Sequence, residues 1–109
     1  MAKAIVIDQP GGPDVLEWRD VDVPEPGEKE GLIKQVAVGL NYIDVYHRSG
    51  LYGLNDFPAT IGVEGAGIVE AVGPGCELGF VVGQRVCYAG GPIGAYAQYR
   101  TMPERWLVG

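Results

Sequence analysis

Residues 62–75 read GVEGAGIVEAVGPG, and whether this stretch opens a helix or runs as a strand decides the fold. Glycines at this spacing invite the G-x-G-x-x-G pattern, which cradles a dinucleotide pyrophosphate at the start of a helix. After Gly65 and Gly67, however, the third position of the pattern holds Glu70. The glycines also lie inside an extended β-branched run that ends in a further turn, Gly73-Pro74-Gly75, where the fingerprint demands a helix. The stretch therefore predicts a strand, with close backbone approach at Gly65, Ala66 and Gly67.

The flanking sequence extends the same reading. KAIVID (3–8) and VLEWRDVDV (15–23), separated by the turn signal QPGGPD, predict a hairpin or meander in which Leu16 and Trp18 alternate with charged neighbours. PEPGEKEG (24–31) is a solvated turn that leads into a mostly apolar strand, LIKQVAVG (32–39). Downstream, VVGQRVCYAG (81–90) and GAYAQYRTM (94–102) supply two more strands, the second alternating Tyr96, Gln98 and Arg100 against Ala95, Ala97 and Tyr99. With 18 Gly and 8 Pro punctuating the chain, the expected fold is mainly β: a partly open antiparallel β-barrel with one or two short helices.

Composition excludes several function classes. The 109 residues suffice for one domain, 1–109, with one modest core. The net charge is −6 and the eight basic residues are scattered, so no cationic stripe exists for a nucleic acid. No apolar run approaches the roughly 20 residues of a membrane span, and the start, MAKAIVIDQPGG, lacks a secretory signal; a cytoplasmic protein without a membrane partner is expected. Cys76 and Cys87 match no metal or redox spacing and read as free thiols.

Against this valine- and glycine-rich background, GLNYIDVYHRSGLY (39–52) gathers three tyrosines with Asn41, Asp44, Arg48 and the chain's only histidine, His47. Asn41 suits an N-cap, Asp44 the first turn and Gly50 a terminator, which predicts a helix over 42–49. Asp44 reads as a first-turn acid rather than a general base, and Arg48 as a complement to the helix dipole. His47 has no nucleophile segment to serve and reads as a partly exposed helix residue. Glu64, between Val63 and Gly65, is a candidate buried carboxylate without a catalytic role, and Tyr88, Tyr96 and Tyr99 read as barrel packing or rim.

The ordered segments GLNYID, YHRSGLY, IGVEGAGIVEAVG, VGQRV and GAYAQY resemble the medium-chain dehydrogenase/reductase superfamily along nearly the whole chain. Within it the chain is most similar to the zinc-independent NADPH:quinone oxidoreductases, the ζ-crystallin type, whose amino-terminal catalytic domain is GroES-like. Zinc alcohol dehydrogenases of that superfamily carry a cysteine where Asn41 stands and a G-H-E segment where Gly62, Val63 and Glu64 stand. Neither Asn nor Val can replace the missing zinc donors, so no catalytic metal is expected.

The resemblance implies an interdomain cleft in which Asn41, Tyr42, Ile43, Asp44 and Tyr46 face the nicotinamide end of NADPH, with Tyr46 and Tyr52 as catalytic residues beside a quinone. Aromatic rings offer a flat quinone a stacking surface, and a phenol or carboxamide can bond the oxygen on which charge grows. Asn41 also stands as a plain helix cap, and Tyr42 or Tyr46 as packing residues. Two departures from the family pattern concern Gln84, in a turn that usually carries Asp, and the poorly fitting segment CELGFVV (76–82).

Relatives of this type run on into a Rossmann domain, so 1–109 reads as an incomplete GroES-like catalytic domain that binds NADPH weakly or not at all and shows no turnover alone. Its uncovered cleft face implies self-association. A stand-alone binding or assembly module is the alternative from a different class.

Overall fold

Two nine-residue strands lie against each other because glycine lets them. β3 (Glu30–Val38) and β4 (Glu64–Val72) pair antiparallel, from Gly31 opposite Val72 to Val38 opposite Gly65, with register shifts at Leu32/Ile33 and Gln35/Ala37. A Cβ on Gly67 would stand 2.2 Å from the Lys34 carbonyl oxygen, and one on Gly65 2.7 Å from the Tyr88 hydroxyl. The glycine-rich stretch is thus a strand crossed closely by its neighbours, as its sequence context predicts. The structure is a computed structural model and describes residues 2–51, 53–54 and 56–109.

β5 (Arg85–Ala89) pairs with β4 and β6 (Tyr99–Pro103) pairs with β3, which gives a sheet of order β5-β4-β3-β6. β1 (Ala2–Val6) and β2 (Glu17–Val21) form a second antiparallel pair on either side of a 3-10 turn at Pro13–Val15. Isolated bridges from Ala4 to Ala97 and from Ile7 to Ala59 tie the two sheets together without closing them. The expected partly open, mainly β arrangement is what forms. α1 (Tyr42–Ser49) follows β3 directly, and a second 3-10 turn, Glu104–Trp106, follows β6.

The core gathers where alternating strand faces converge: Ile33, Val69, Val86, Tyr88, Ala95, Met102 and Leu107, with Phe80 and Tyr96 packed at its margin. The bulge at Leu32/Ile33 lets consecutive residues Gly31, Leu32 and Ile33 all be buried, which strict alternation would forbid. β2 buries little: Trp18 is 55% exposed.

The last strand departs from expectation. The strand starts at Tyr99; before it, residues 96–98 bond to β1, the Tyr96 carbonyl accepting from the Ile5 N–H at 2.8 Å, and the Gly94 and Ala95 N–H groups donate to the Gly62 carbonyl. Arg100 then faces inward. Its guanidinium donates to the carbonyls of Thr101, Pro92 and Ile93 at 3.0–3.3 Å and lies 4.9 Å from the Tyr88 ring centroid, which offsets part of the cost of burying the charge.

Gln84 keeps the turn that Asp usually makes. Its side-chain oxygen accepts from the Val81 N–H at 3.2 Å, while its backbone N–H donates to the Val81 carbonyl at 3.1 Å. The β4–β5 connection therefore forms despite the unusual residue.

Gly67→Ala should lower unfolding free energy by about 3 kcal/mol or more, since backbone rather than a flexible side chain blocks the new methyl. Gly12→Ala, which meets nothing within 4 Å, should stay within about 0.5 kcal/mol. Urea unfolding of the two variants checks the contrast.

Candidate active site

The start of α1 is built from a carboxylate and the backbone of its cap. Asn41 is extended at φ −130° and ψ 155°, and its N–H donates to Asp44 Oδ2 at 3.0 Å. The Asp44 N–H donates in turn to the Asn41 carbonyl at 3.0 Å. At the other end Gly50, at φ +89°, takes the left-handed conformation that glycine adopts freely, and its N–H donates to the Tyr46 carbonyl at 3.1 Å. The predicted bounds, cap and terminator of this helix all hold.

The helix is turned inside out. Asp44 is 2% exposed, whereas Tyr42 is 84%, Ile43 37% and Val45 39% exposed. Helical spacing explains the split: Asn41, Asp44 and Arg48 share one side, and Tyr42 and Tyr46, four apart, share another. The polar side is fastened to the body. Arg48 Nη1 donates to the Gly11 carbonyl at 2.9 Å and the Gly11 N–H donates to the Arg48 carbonyl at 2.9 Å, so Arg48 anchors the helix as well as complementing its dipole.

Tyr96 supplies the other anchor, its hydroxyl donating to Asp44 Oδ2 through a short hydrogen bond. Burial, followed by that hydrogen bond and the charge of the carboxylate, pushes the Tyr96 phenol well above its ordinary range. Three polar atoms near this polar side are buried without a partner: Asn41 Nδ2, Asp44 Oδ1 and His47 Nδ1.

The structure thus brings Asn41 and Asp44 together and sets Tyr42 and Ile43 on the exposed side with Tyr46, which is half-buried. Tyr52 lies outside the described residues. Glu64 is half-buried rather than enclosed, and its carboxylate occupies the space a side chain at Gly39 would fill, two residues before Asn41. Beside these residues runs an apolar groove of about 370 Å³, lined by Ile5, Trp18, Val36, Val38, Leu40 and Tyr96 among others. Among the described residues no three of His, Cys, Asp and Glu converge as a metal site requires.

Sequence reading assigned Tyr96 to packing or rim. Its link to Asp44 spans 52 residues and depends on the turn of 96–98 onto β1, which no local pattern announces.

The match that decides the family covers residues 27–109, against the alcohol dehydrogenase GroES-like domain. The chain belongs to this family. It is 50% identical over 108 residues to a quinone oxidoreductase of Pseudomonas aeruginosa, an alignment covering 99% of this chain and 33% of that protein. It is 40% identical over 111 residues to a 2-haloacrylate reductase of a Burkholderia species, again covering 99% and 33%. The solved structure of Escherichia coli quinone oxidoreductase complexed with NADPH superposes with a TM-score of 0.94 at 36% identity, covering 98% of this chain and 32% of that one. The chain therefore spans about a third of the length of the relatives it matches.

The raised Tyr96 value has a signed consequence. The folded state holds this proton more tightly than the unfolded chain, whose phenols ionise near pH 10. The associated stability is complete below about pH 10 and lost as pH rises through the folded value. In an ultraviolet titration one phenol should ionise late, and Tyr96→Phe should remove that late step and flatten the alkaline loss of stability; superimposable curves would contradict the assignment.

Proposed function

We propose that this domain is the substrate-facing part of an NADPH-dependent quinone reductase, acting in the whole protein without zinc on quinones or related conjugated carbonyls. The observation that carries the reading is the inverted helix, which exposes Tyr42 and Ile43 immediately after Asn41 while it buries Asp44. A short helix normally buries its apolar side. One that does the reverse has a use for exposed rings.

Asn41, Tyr42, Ile43, Asp44 and Tyr46 fit a nicotinamide end. The exposed Tyr42 ring gives a flat face, and the buried Asn41 amide and Asp44 carboxylate provide a polar base beneath it. The glycines of 62–75 do not cradle a pyrophosphate, since the space at Gly65 and Gly67 is taken by Gln35, Tyr88 and the Lys34 carbonyl. Binding of NADPH by residues 1–109 alone is accordingly weak or absent.

When bound, NADPH supplies the hydride. Tyr46, joined by Tyr52, acts by donating a phenolic hydrogen bond to the quinone oxygen on which negative charge develops. Tyr42 and Ile43 shield the reacting faces from water, and Asn41 fixes the orientation of the ring. The final proton comes from solvent, so Asp44 has no general-base duty and remains a buried cap. The similarity to a 2-haloacrylate reductase, named for another conjugated carbonyl compound, supports an electron-poor double bond as the common acceptor.

The exposed apolar groove supports self-association of residues 1–109, and the free thiols of Cys76 and Cys87 support a reducing, cytoplasmic setting. A stand-alone assembly module would use the same groove and need no quinone.

In the whole protein Tyr46→Phe should lower kcat for NADPH-dependent quinone reduction by about 10- to 100-fold. The KM for NADPH should stay within about twofold, and metal chelators should leave the wild-type rate unchanged. Absence of NADPH-dependent quinone reduction by the wild type, with self-association intact, would replace this reading with the assembly module.

A further inference from the structure

We propose that Tyr96 is a positioning residue for the reduction site, a role that rests on the quinone-reductase reading: its hydroxyl sets the Asp44 carboxylate, which sets Asn41 and the entry of α1. An eight-residue helix is marginal on its own. This one leaves Tyr42, Ile43 and Val45 exposed, so apolar packing of those side chains cannot hold it. Polar anchors hold the opposite side, the reciprocal Gly11–Arg48 bonds near the end of the helix and the Tyr96–Asp44 bond at its start.

Tyr96 is itself fixed to the sheets. Its N–H donates to the Ile61 carbonyl at 3.0 Å, and its carbonyl accepts from the Ile5 N–H at 2.8 Å. Its ring packs at the margin of the core and lies so close over Gly62 that a Cβ there would stand 2.6 Å from it. The hydroxyl passes that rigidity to a carboxylate that, among the described residues, is otherwise held only by the Asn41 N–H. No basic side chain pairs with Asp44 among the described residues, so a lost phenol donor leaves the carboxylate underbonded and free to rotate. Asn41 and the first turn move with it.

Tyr96→Phe removes the donor and keeps the ring. In residues 1–109, amide hydrogen exchange at Asn41 and along α1 should quicken by about tenfold or more, while β3 and β4 keep their protection. In the whole protein kcat should fall by about 10- to 100-fold with KM for NADPH within about twofold, because displacement of the reacting groups, not loss of binding, is the defect. Asp44→Ala should reproduce the loss, and the double variant should be no worse than the poorer single variant by more than about twofold. Unchanged exchange in α1 would overturn the proposal. Faster exchange with kcat unchanged would also overturn it, leaving Tyr96 a purely structural anchor. A wild type that reduces no quinone would sink the functional reading instead, with the exchange result still reporting whether Tyr96 sets the helix.

Discussion

A buried carboxylate without a cation governs the local design. Removing Asp44 from water costs several kcal/mol, and among the described residues no lysine or arginine repays it. What offsets the cost is a pair of charge-assisted hydrogen bonds, from the Asn41 N–H and the Tyr96 hydroxyl, each of about 1.5–3 kcal/mol. Both donors have to be in place for the helix to sit polar side down. That orientation in turn leaves Tyr42 and Ile43 exposed beside Tyr46.

The sheet makes this arrangement possible by giving up side chains. Gly65 leaves room for the Tyr88 hydroxyl to donate to Gln35 Oε1 at 2.8 Å, and the Gln35 amide donates onward to the Ala95 carbonyl at 2.7 Å. This bridge fixes Ala95, the residue before Tyr96. Arg100, stacked on Tyr88 and bonded to the Pro92 and Ile93 carbonyls, holds the same loop from its other side. The glycines that resemble a phosphate cradle thus create space for internal hydrogen bonds, and those bonds place the tyrosine on which the helix rests.

Much of the fold was legible because its signals are local. The failed spacing at Glu70, the β-branched run around it and the turn at Gly73-Pro74-Gly75 were enough to identify β4, and Asn41, Asp44 and Gly50 marked the helix ends. The family resemblance brought Asn41, Tyr42, Ile43, Asp44 and Tyr46 forward as a cluster. Local pattern could not show that α1 buries its polar side, since that depends on a donor 52 residues away. Nor could alternation place Arg100 correctly in its setting, because residues 96–98 turn to bond with β1. In both cases a long-range hydrogen bond overrides the periodic signal.

The proposed site, built from amide and phenol groups without a cation, also limits the chemistry. A bound cation can polarise an unactivated carbonyl, whereas a hydrogen-bond donor lowers the barrier by only a few kcal/mol. In the proposed site, Asn41 and Tyr46 would therefore serve an acceptor whose own conjugation already spreads the incoming charge. Quinones and electron-poor alkenes conjugated to a carbonyl share that property, which gives a physical reason for the two relatives named for such substrates to share this domain. Rigidity then matters more than donor strength, because a weakly polarising site gains most from holding its acceptor in line. Tyr96, bonded to β1 and to the Ile61 carbonyl and joined to the base of the helix, is where the fold supplies that rigidity.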